Sequence, residues 1–107
     1  MSHEVVLDIE TQNTFEEVGA GNQRALKVSV AVIYAYEDEE FHVFREENLK
    51  DLWPFLERAE RVIGYNSRWF DMPVLQNYYP GDLSIIPQLK LEQHKKIPHL
   101  ITEMRDF

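Results

Sequence analysis

The feature that most constrains the fold is an apolar run near the N-terminus that ends in two acidic residues. The segment from Glu4 to Thr11 reads Glu-Val-Val-Leu-Asp-Ile-Glu-Thr, so apolar side chains fall on both sides of an extended chain. Strands that are apolar on both faces are typical of the centre of a sheet that is covered on both sides. The segment therefore predicts a central strand, with its acidic residues near the end of that strand.

A second strand and a hairpin follow. From Leu26 to Tyr36, large apolar residues alternate with smaller or polar ones, which predicts a strand. The acidic segment 37–39 predicts an ordinary surface turn, and Phe41 to Phe44 predicts a third strand that returns as a hairpin. Residues 12–25 show no clear period and predict a loop.

The next segment has the apolar stripe of an amphipathic helix. Pro54 is tolerated only in the first turn, where the backbone N–H groups have no partner within the helix. The helix is therefore predicted to begin with Asp51 as its N-cap, after a turn over residues 47–50.

The remaining chain completes an α/β pattern. Residues 62–65 predict a short buried strand, and a second helix is predicted from residue 70 or 71 to Tyr79, with Pro73 in its first turn. The order β-β-β-α-β-α predicts a mixed sheet with packed helices, in one domain over residues 1–107. In the less regular tail, residues 83–107, we expect an edge strand at 85–91 and a short helix at 97–107.

Composition narrows the function classes. A chain of 107 residues without cysteine has room for one domain, and it has neither disulfides nor thiolate metal ligands. The N-terminus lacks the pattern of a signal peptide and no apolar run could span a bilayer, so we expect a cytoplasmic protein with no membrane partner. The net charge of −8 excludes nucleic-acid binding by bulk attraction, although metal-binding carboxylates are part of that charge.

Asp8 and Glu10 are the first candidates for a functional role. They are two residues apart on a predicted strand, so both side chains lie on one face, at the end of the strand where α/β sheets bind ligands. Two neighbouring carboxylates repel each other, and a cation relieves that repulsion. The alternative is that both are simply solvated beyond the buried part of the strand.

Asp71 adds a third carboxylate. It follows the short strand at 62–65, and if this strand lies beside the first, Asp71 reaches the same end of the sheet. Three converging carboxylates suit a hard divalent ion such as Mg²⁺ or Mn²⁺. The alternative is that Asp71, which precedes Met72 and Pro73, is a helix N-cap, and one carboxylate could fill both roles.

These residues resemble two motifs of one enzyme family. The segment 6–11, Val-Leu-Asp-Ile-Glu-Thr, resembles the first motif of the DEDD-type (DnaQ-like) 3′–5′ exonucleases, which have a ribonuclease H-like fold, and Gly64-Tyr65-Asn66 with Phe70-Asp71 resembles the second. The resemblance covers roughly residues 4–82. It implies a two-metal hydrolysis of phosphodiester bonds at a DNA or RNA 3′ end. The implied catalytic and metal-binding residues are Asp8, Glu10 and Asp71, and the implied substrate-binding residues are Thr11, Asn66 and Phe70, the last by stacking.

The chain departs from the family after the second motif. Family members carry a third motif, a Tyr or His followed by a fourth Asp, which supplies the general base, and we expect this chain to lack it. Lys90 stands where the family often has Asp. Tyr78 and Asp82 have a suitable spacing, but the intervening Pro-Gly forbids the helix that the motif needs, and the pair His99 and Glu103 is read as a solvated helix face.

Three interpretations follow from these residues. The first is a metal-dependent 3′–5′ exonuclease, weakly active or shortened. The second is a catalytically inactive module of the same fold that binds nucleic acid or protein. The third is a truncated product whose exposed sheet edge is covered by a second copy, which predicts a homodimer.

Overall fold

A computed structural model of the protein describes residues 3–19, 21–64, 70–90 and 104. The described part is a small α/β domain built on one five-stranded mixed sheet. None of its helices has both the length and the apolarity needed to cross a bilayer. The strands and α-helices run in this order: β1 Glu4–Thr11, α1 Phe15–Val18, β2 Val28–Ala35, β3 Glu40–Arg45, α2 Trp53–Arg58, β4 Arg61–Gly64, α3 Met72–Gln76 and β5 Gln88–Lys90.

The strand order across the sheet is β3-β2-β1-β4-β5, so β1 lies at the centre as predicted. It pairs antiparallel with β2 along its whole length, apart from a bulge between Glu10 and Thr11. On its other side β1 pairs parallel with β4, and this pairing ends at Val6 opposite Ile63. The second half of β1 therefore extends beyond its pairing with β4.

The first half of β1 is buried on both faces of the sheet, which is why the residues Val5, Val6 and Leu7 are all apolar. Val5, Leu7 and Ile9 belong to the larger core, on which the helices pack. Val6 belongs to a second core on the opposite face, where Met104, only 1% exposed, packs against it. A residue from the C-terminal tail thus helps to cover the sheet, whereas the rest of the predicted helix at 97–107 lies outside the described residues.

The β2–β3 hairpin turns without the glycine that tight hairpins usually require. Glu39 takes the left-handed conformation with φ 56°. Its backbone N–H donates to the carbonyl of Ala35 (2.8 Å), and the Asp38 carboxylate accepts a hydrogen bond from the N–H of Glu40 (3.1 Å). A local side-chain acceptor thus supports a turn in which a non-glycine residue carries backbone strain.

Several predicted boundaries are wrong. The loop predicted at 12–25 contains α1 and a 3-10 turn at Gln23–Ala25. The predicted N-cap Asp51 lies inside a 3-10 segment, Glu46–Leu52, and α2 begins one residue later than expected, after Leu52 and without a side-chain cap. Because the 3-10 segment runs directly into α2, no extended residue is left between them to act as a cap.

The last helix and the last strand of the described chain are also shorter than predicted. Helix α3 ends at Gln76 rather than Tyr79, and a 3-10 turn, Leu83–Ile85, follows. Strand β5 begins only after Pro87, at the edge of the sheet, where a residue without a backbone N–H is tolerated.

Candidate metal centre

The end of β1 presents Asp8 and Glu10 on the same face of the sheet as Val6, because side chains alternate along a strand. Asp8 is half-buried and Glu10 is exposed. The apolar residues that alternate with them, Leu7 and Ile9, lie in the core on the other face. This part of β1 therefore has one apolar face and one acidic face.

Asp71 directly precedes α3, and its side chain is only 5% exposed. It is the one charged residue among the buried residues of the described chain. Asp71 occupies the N-cap position of α3 as the alternative predicted, but its backbone is helical and its side chain makes no capping hydrogen bond. Its carboxylate instead accepts a hydrogen bond from the backbone N–H of Ile9, in the part of β1 that extends beyond β4.

The electrostatics of Asp71 place it near both β1 carboxylates. The pKa of Asp71 is raised from 3.8 to about 8, mainly by burial and then by the negative charges of Asp8 and, to a smaller extent, Glu10. The backbone hydrogen bonds act in the opposite direction but do not offset the burial. Ionised Asp71 is therefore unfavourable without a positive partner, and no described Lys, Arg or His forms an ion pair with it.

These features match the chemistry of a cation site. Asp71 is a buried carboxylate that is repelled by a neighbouring carboxylate, and no described cationic side chain forms an ion pair with it. A proton or a bound metal ion would stabilise such a group. Asp8, Glu10 and Asp71 are, however, not a set whose ligand oxygens all lie within 4.8 Å of one another.

The predicted substrate-binding residues have different surroundings. The hydroxyl of Thr11 donates to the carbonyl of Asn13 (2.6 Å), so it is engaged within the loop after β1. Phe70 is half-buried and packs against the larger core, with part of its surface accessible. Asn66 lies outside the described residues. The roles of all three in substrate binding stay predictions.

A second acidic cluster lies on the hairpin and includes Asp38, from the turn 37–39 that was interpreted as ordinary surface. Asp38, Glu40 and His42 bring ligand atoms within 4.8 Å of one another, and this set could hold a metal ion. His42 Nε2 already lies 2.7 Å from the Asp38 carboxylate. Glu40 and His42 are two residues apart on β3 and therefore lie on one face, whereas Asp38 comes close to them through the turn.

A pocket of about 470 Å³ lies between α3, the 3-10 turn at Leu83–Ile85 and the start of β5. Its lining does not include Asp8, Glu10 or Asp71. Gln76 and Asp82, two of its polar residues, are hydrogen-bonded to neighbouring backbone groups. Met72 and Pro73, which directly follow Asp71 in the chain, do line the pocket.

Comparison with known proteins identifies the fold but no family. No protein-family model matches the sequence, and no curated protein matches it either. The structure is similar to that of the family B DNA polymerase from the hyperthermophilic archaeon Pyrobaculum calidifontis, with a TM-score of 0.52 and 22% sequence identity over 69% of this chain. The chain spans only 10% of that polymerase. The α/β fold of this chain thus has a counterpart within a much larger protein.

Proposed function

We propose that the protein is a metal-dependent 3′–5′ exonuclease in which Asp8, Glu10 and Asp71 hold Mg²⁺ or Mn²⁺. The observation that carries the proposal is Asp71, a buried carboxylate whose pKa is raised by burial and by the charge of Asp8. Asp71 comes from a part of the sequence distant from β1, and its carboxylate accepts a hydrogen bond from Ile9 N–H and is affected by the charges of Asp8 and Glu10, which supports the proposal.

In the proposal, Asp8, Glu10 and Asp71 hold the two divalent ions that the motif resemblance implies. Bound divalent ions would supply a nucleophilic water at neutral pH and stabilise the charge on the leaving oxygen. Exposed Glu10 leaves one side of the site open to a substrate from solvent.

Nucleic acid is the proposed substrate class. The motif resemblance of residues 6–11 and 64–71 supports it, and so does the similarity of the fold to a protein named as a DNA polymerase. Thr11 and Asn66 are proposed to contact the terminal nucleotide, and the accessible part of Phe70 is proposed to stack on it. We place the enzyme in the cytoplasm.

The experiment follows the loss of nucleotides from 5′-labelled single-stranded DNA and RNA while Mn²⁺ is titrated. The comparison variants are Asp8→Asn and Asp51→Asn; each removes one negative charge, but Asp51 is exposed in the 3-10 segment before α2. We expect shortening from the 3′ end that requires Mn²⁺, persists in Asp51→Asn and falls at least 100-fold in Asp8→Asn, because a metal ligand is lost.

Two results would contradict the proposal in different ways. Mn²⁺ binding that depends on Asp8 without any shortening of DNA or RNA would favour the inactive module of the same fold. Shortening that continues unchanged in Asp8→Asn would mean that the activity arises from a contaminant or from another site.

A further inference from the structure

Three side chains from distant parts of the sequence meet above the first residue of β2. The hydroxyl of Tyr78 donates to Glu46 Oε2 (2.6 Å) and accepts a hydrogen bond from the backbone N–H of Val28 (3.0 Å). The amide of Gln12 donates to the carbonyl of Val28 (2.8 Å) and to Glu46 Oε1 (3.1 Å). We call Gln12, Glu46 and Tyr78 the Glu46 bridge.

The Glu46 bridge joins the two elements that carry the proposed metal ligands. Gln12 follows Glu10 and the bulge at which the regular pairing of β1 with β2 is interrupted. Tyr78 lies just beyond α3, the helix that Asp71 directly precedes. One carboxylate thus receives a hydrogen bond from the end of β1 on one oxygen and from the end of the α3 segment on the other.

The chemistry of Glu46 suits this bridging role. Its hydrogen bonds with Tyr78 and Gln12 lower its pKa, so it stays ionised at neutral pH and accepts from both partners. Hydrogen bonds to an ionised acceptor are shorter and stronger than those between neutral groups, in keeping with the 2.6 Å contact of Tyr78. A neutral side chain at this position could not accept on both of its terminal atoms.

We propose that Tyr78 and Glu46 are positioning residues that hold α3 and the end of β1 at the separation required for metal binding by Asp71 and the β1 carboxylates. This inference rests on the proposed function. Neither residue touches metal or substrate in the proposal; each acts through the element to which it is bonded. Tyr78 directly follows Asn77, the C-cap residue of α3, so its bonds with Glu46 and Val28 anchor the end of the helix opposite to Asp71.

The neighbouring tyrosine provides a matched control. Tyr79 also donates its hydroxyl to a glutamate at 2.6 Å, but that glutamate is Glu57 in α2, outside the Glu46 bridge. Tyr78→Phe and Tyr79→Phe each remove a hydroxyl and its 2.6 Å hydrogen bond to a glutamate, and Tyr78→Phe also removes the acceptor of the Val28 N–H, which belongs to the same cluster. Mn²⁺ affinity is measured for the full chain by electron paramagnetic resonance, at a temperature where thermal unfolding curves show every variant to be folded.

We expect Tyr78→Phe to weaken Mn²⁺ binding about tenfold, which is at the lower end of the loss seen when groups that orient metal ligands are removed. Tyr79→Phe should bind Mn²⁺ as tightly as the unaltered protein does. Glu46→Gln should weaken binding as well. Because both changes break the same bridge, the double variant should lose less than the product of the two single effects.

The outcomes separate this proposal from the function on which it rests. If the unaltered protein shows no Asp8-dependent Mn²⁺ binding, the proposed function and the positioning role are both overturned. If it binds Mn²⁺ but Tyr78→Phe binds as tightly as Tyr79→Phe, only the positioning role is overturned. Independent effects of Glu46→Gln and Tyr78→Phe would also overturn it, since the two residues would then not act through one bond.

Discussion

Replacing Asp71 by asparagine tests the electrostatic reasoning behind the metal centre without any metal. The amide is close to the carboxylate in size but carries no charge, so the variant keeps the packing before α3 and removes the repulsion with Asp8. The pKa of Asp71 is about 8 in the folded protein, against 3.8 for the ordinary group. Between these values the folded state holds a proton that the unfolded state has released.

The direction of the effect follows from this difference. Stability falls with rising pH wherever the folded state binds more protons than the unfolded state, so the contribution of Asp71 is lost progressively from about pH 4 to about pH 8. The slope for one group is about 1.4 kcal/mol per pH unit. Between pH 5 and pH 7, we therefore expect the free energy of unfolding of Asp71→Asn to rise by roughly 3 kcal/mol relative to that of the unaltered protein. This change is a large share of the stability of a typical domain.

The assay is urea unfolding in EDTA, followed by tryptophan fluorescence at pH 5, 6 and 7. The test depends on how the difference in unfolding free energy between Asp71→Asn and the unaltered protein changes with pH. A part of that difference that is the same at every pH reflects how the amide packs. Asp51→Asn, an exposed change of the same kind, controls for the loss of one negative charge. A stability difference between Asp71→Asn and the unaltered protein that stays constant over this pH range would refute the buried, repelled carboxylate and remove the main support for the metal centre.

Two further predictions concern parts of the fold outside the metal centre. Met104→Ala should lower the free energy of unfolding by about 2–4 kcal/mol in urea titrations, because Met104 is only 1% exposed and covers the second face of the sheet. A loss below about 0.5 kcal/mol would show that Met104 does not pack there. Glu39→Gly should raise the free energy of unfolding by about 0.5–1 kcal/mol, because glycine adopts the left-handed conformation at φ 56° without strain. The control Glu40→Gly, in β3, should lower the free energy of unfolding. Equal losses in both variants would contradict the strained turn.

Local patterns account for the elements that the sequence predicted well. Strand β1 is bounded by Glu4 and Thr11 as expected, because an apolar run with β-branched residues and an acidic end has few alternatives. Pro73 lies in the first turn of α3, as its missing N–H requires. Helix α1 was missed because its few residues, Phe15–Val18, are too short to show a helical period.

The candidate site was predictable in part. The spacing of Asp8 and Glu10 and the position of Asp71 after a strand sufficed to propose a carboxylate cluster. Burial of Asp71 to 5% exposure and the rise of its pKa depend on how far β1 extends beyond β4, which no local pattern reveals. The hairpin cluster around Glu40 and His42 had a readable spacing, but only the hairpin geometry brings its ligand atoms together.

By itself the sequence determined a central strand with one acidic end, an α/β order of elements and the residues available for a metal site. These follow from side-chain alternation and from the backbone limits of proline, which act over a few neighbouring residues. The tertiary structure alone decided that Asp71 is buried beside Asp8, and that Gln12 and Tyr78 meet on Glu46, 34 and 32 residues away from it along the chain. Such contacts depend on strand register and helix placement, which are set by the packing of the whole core.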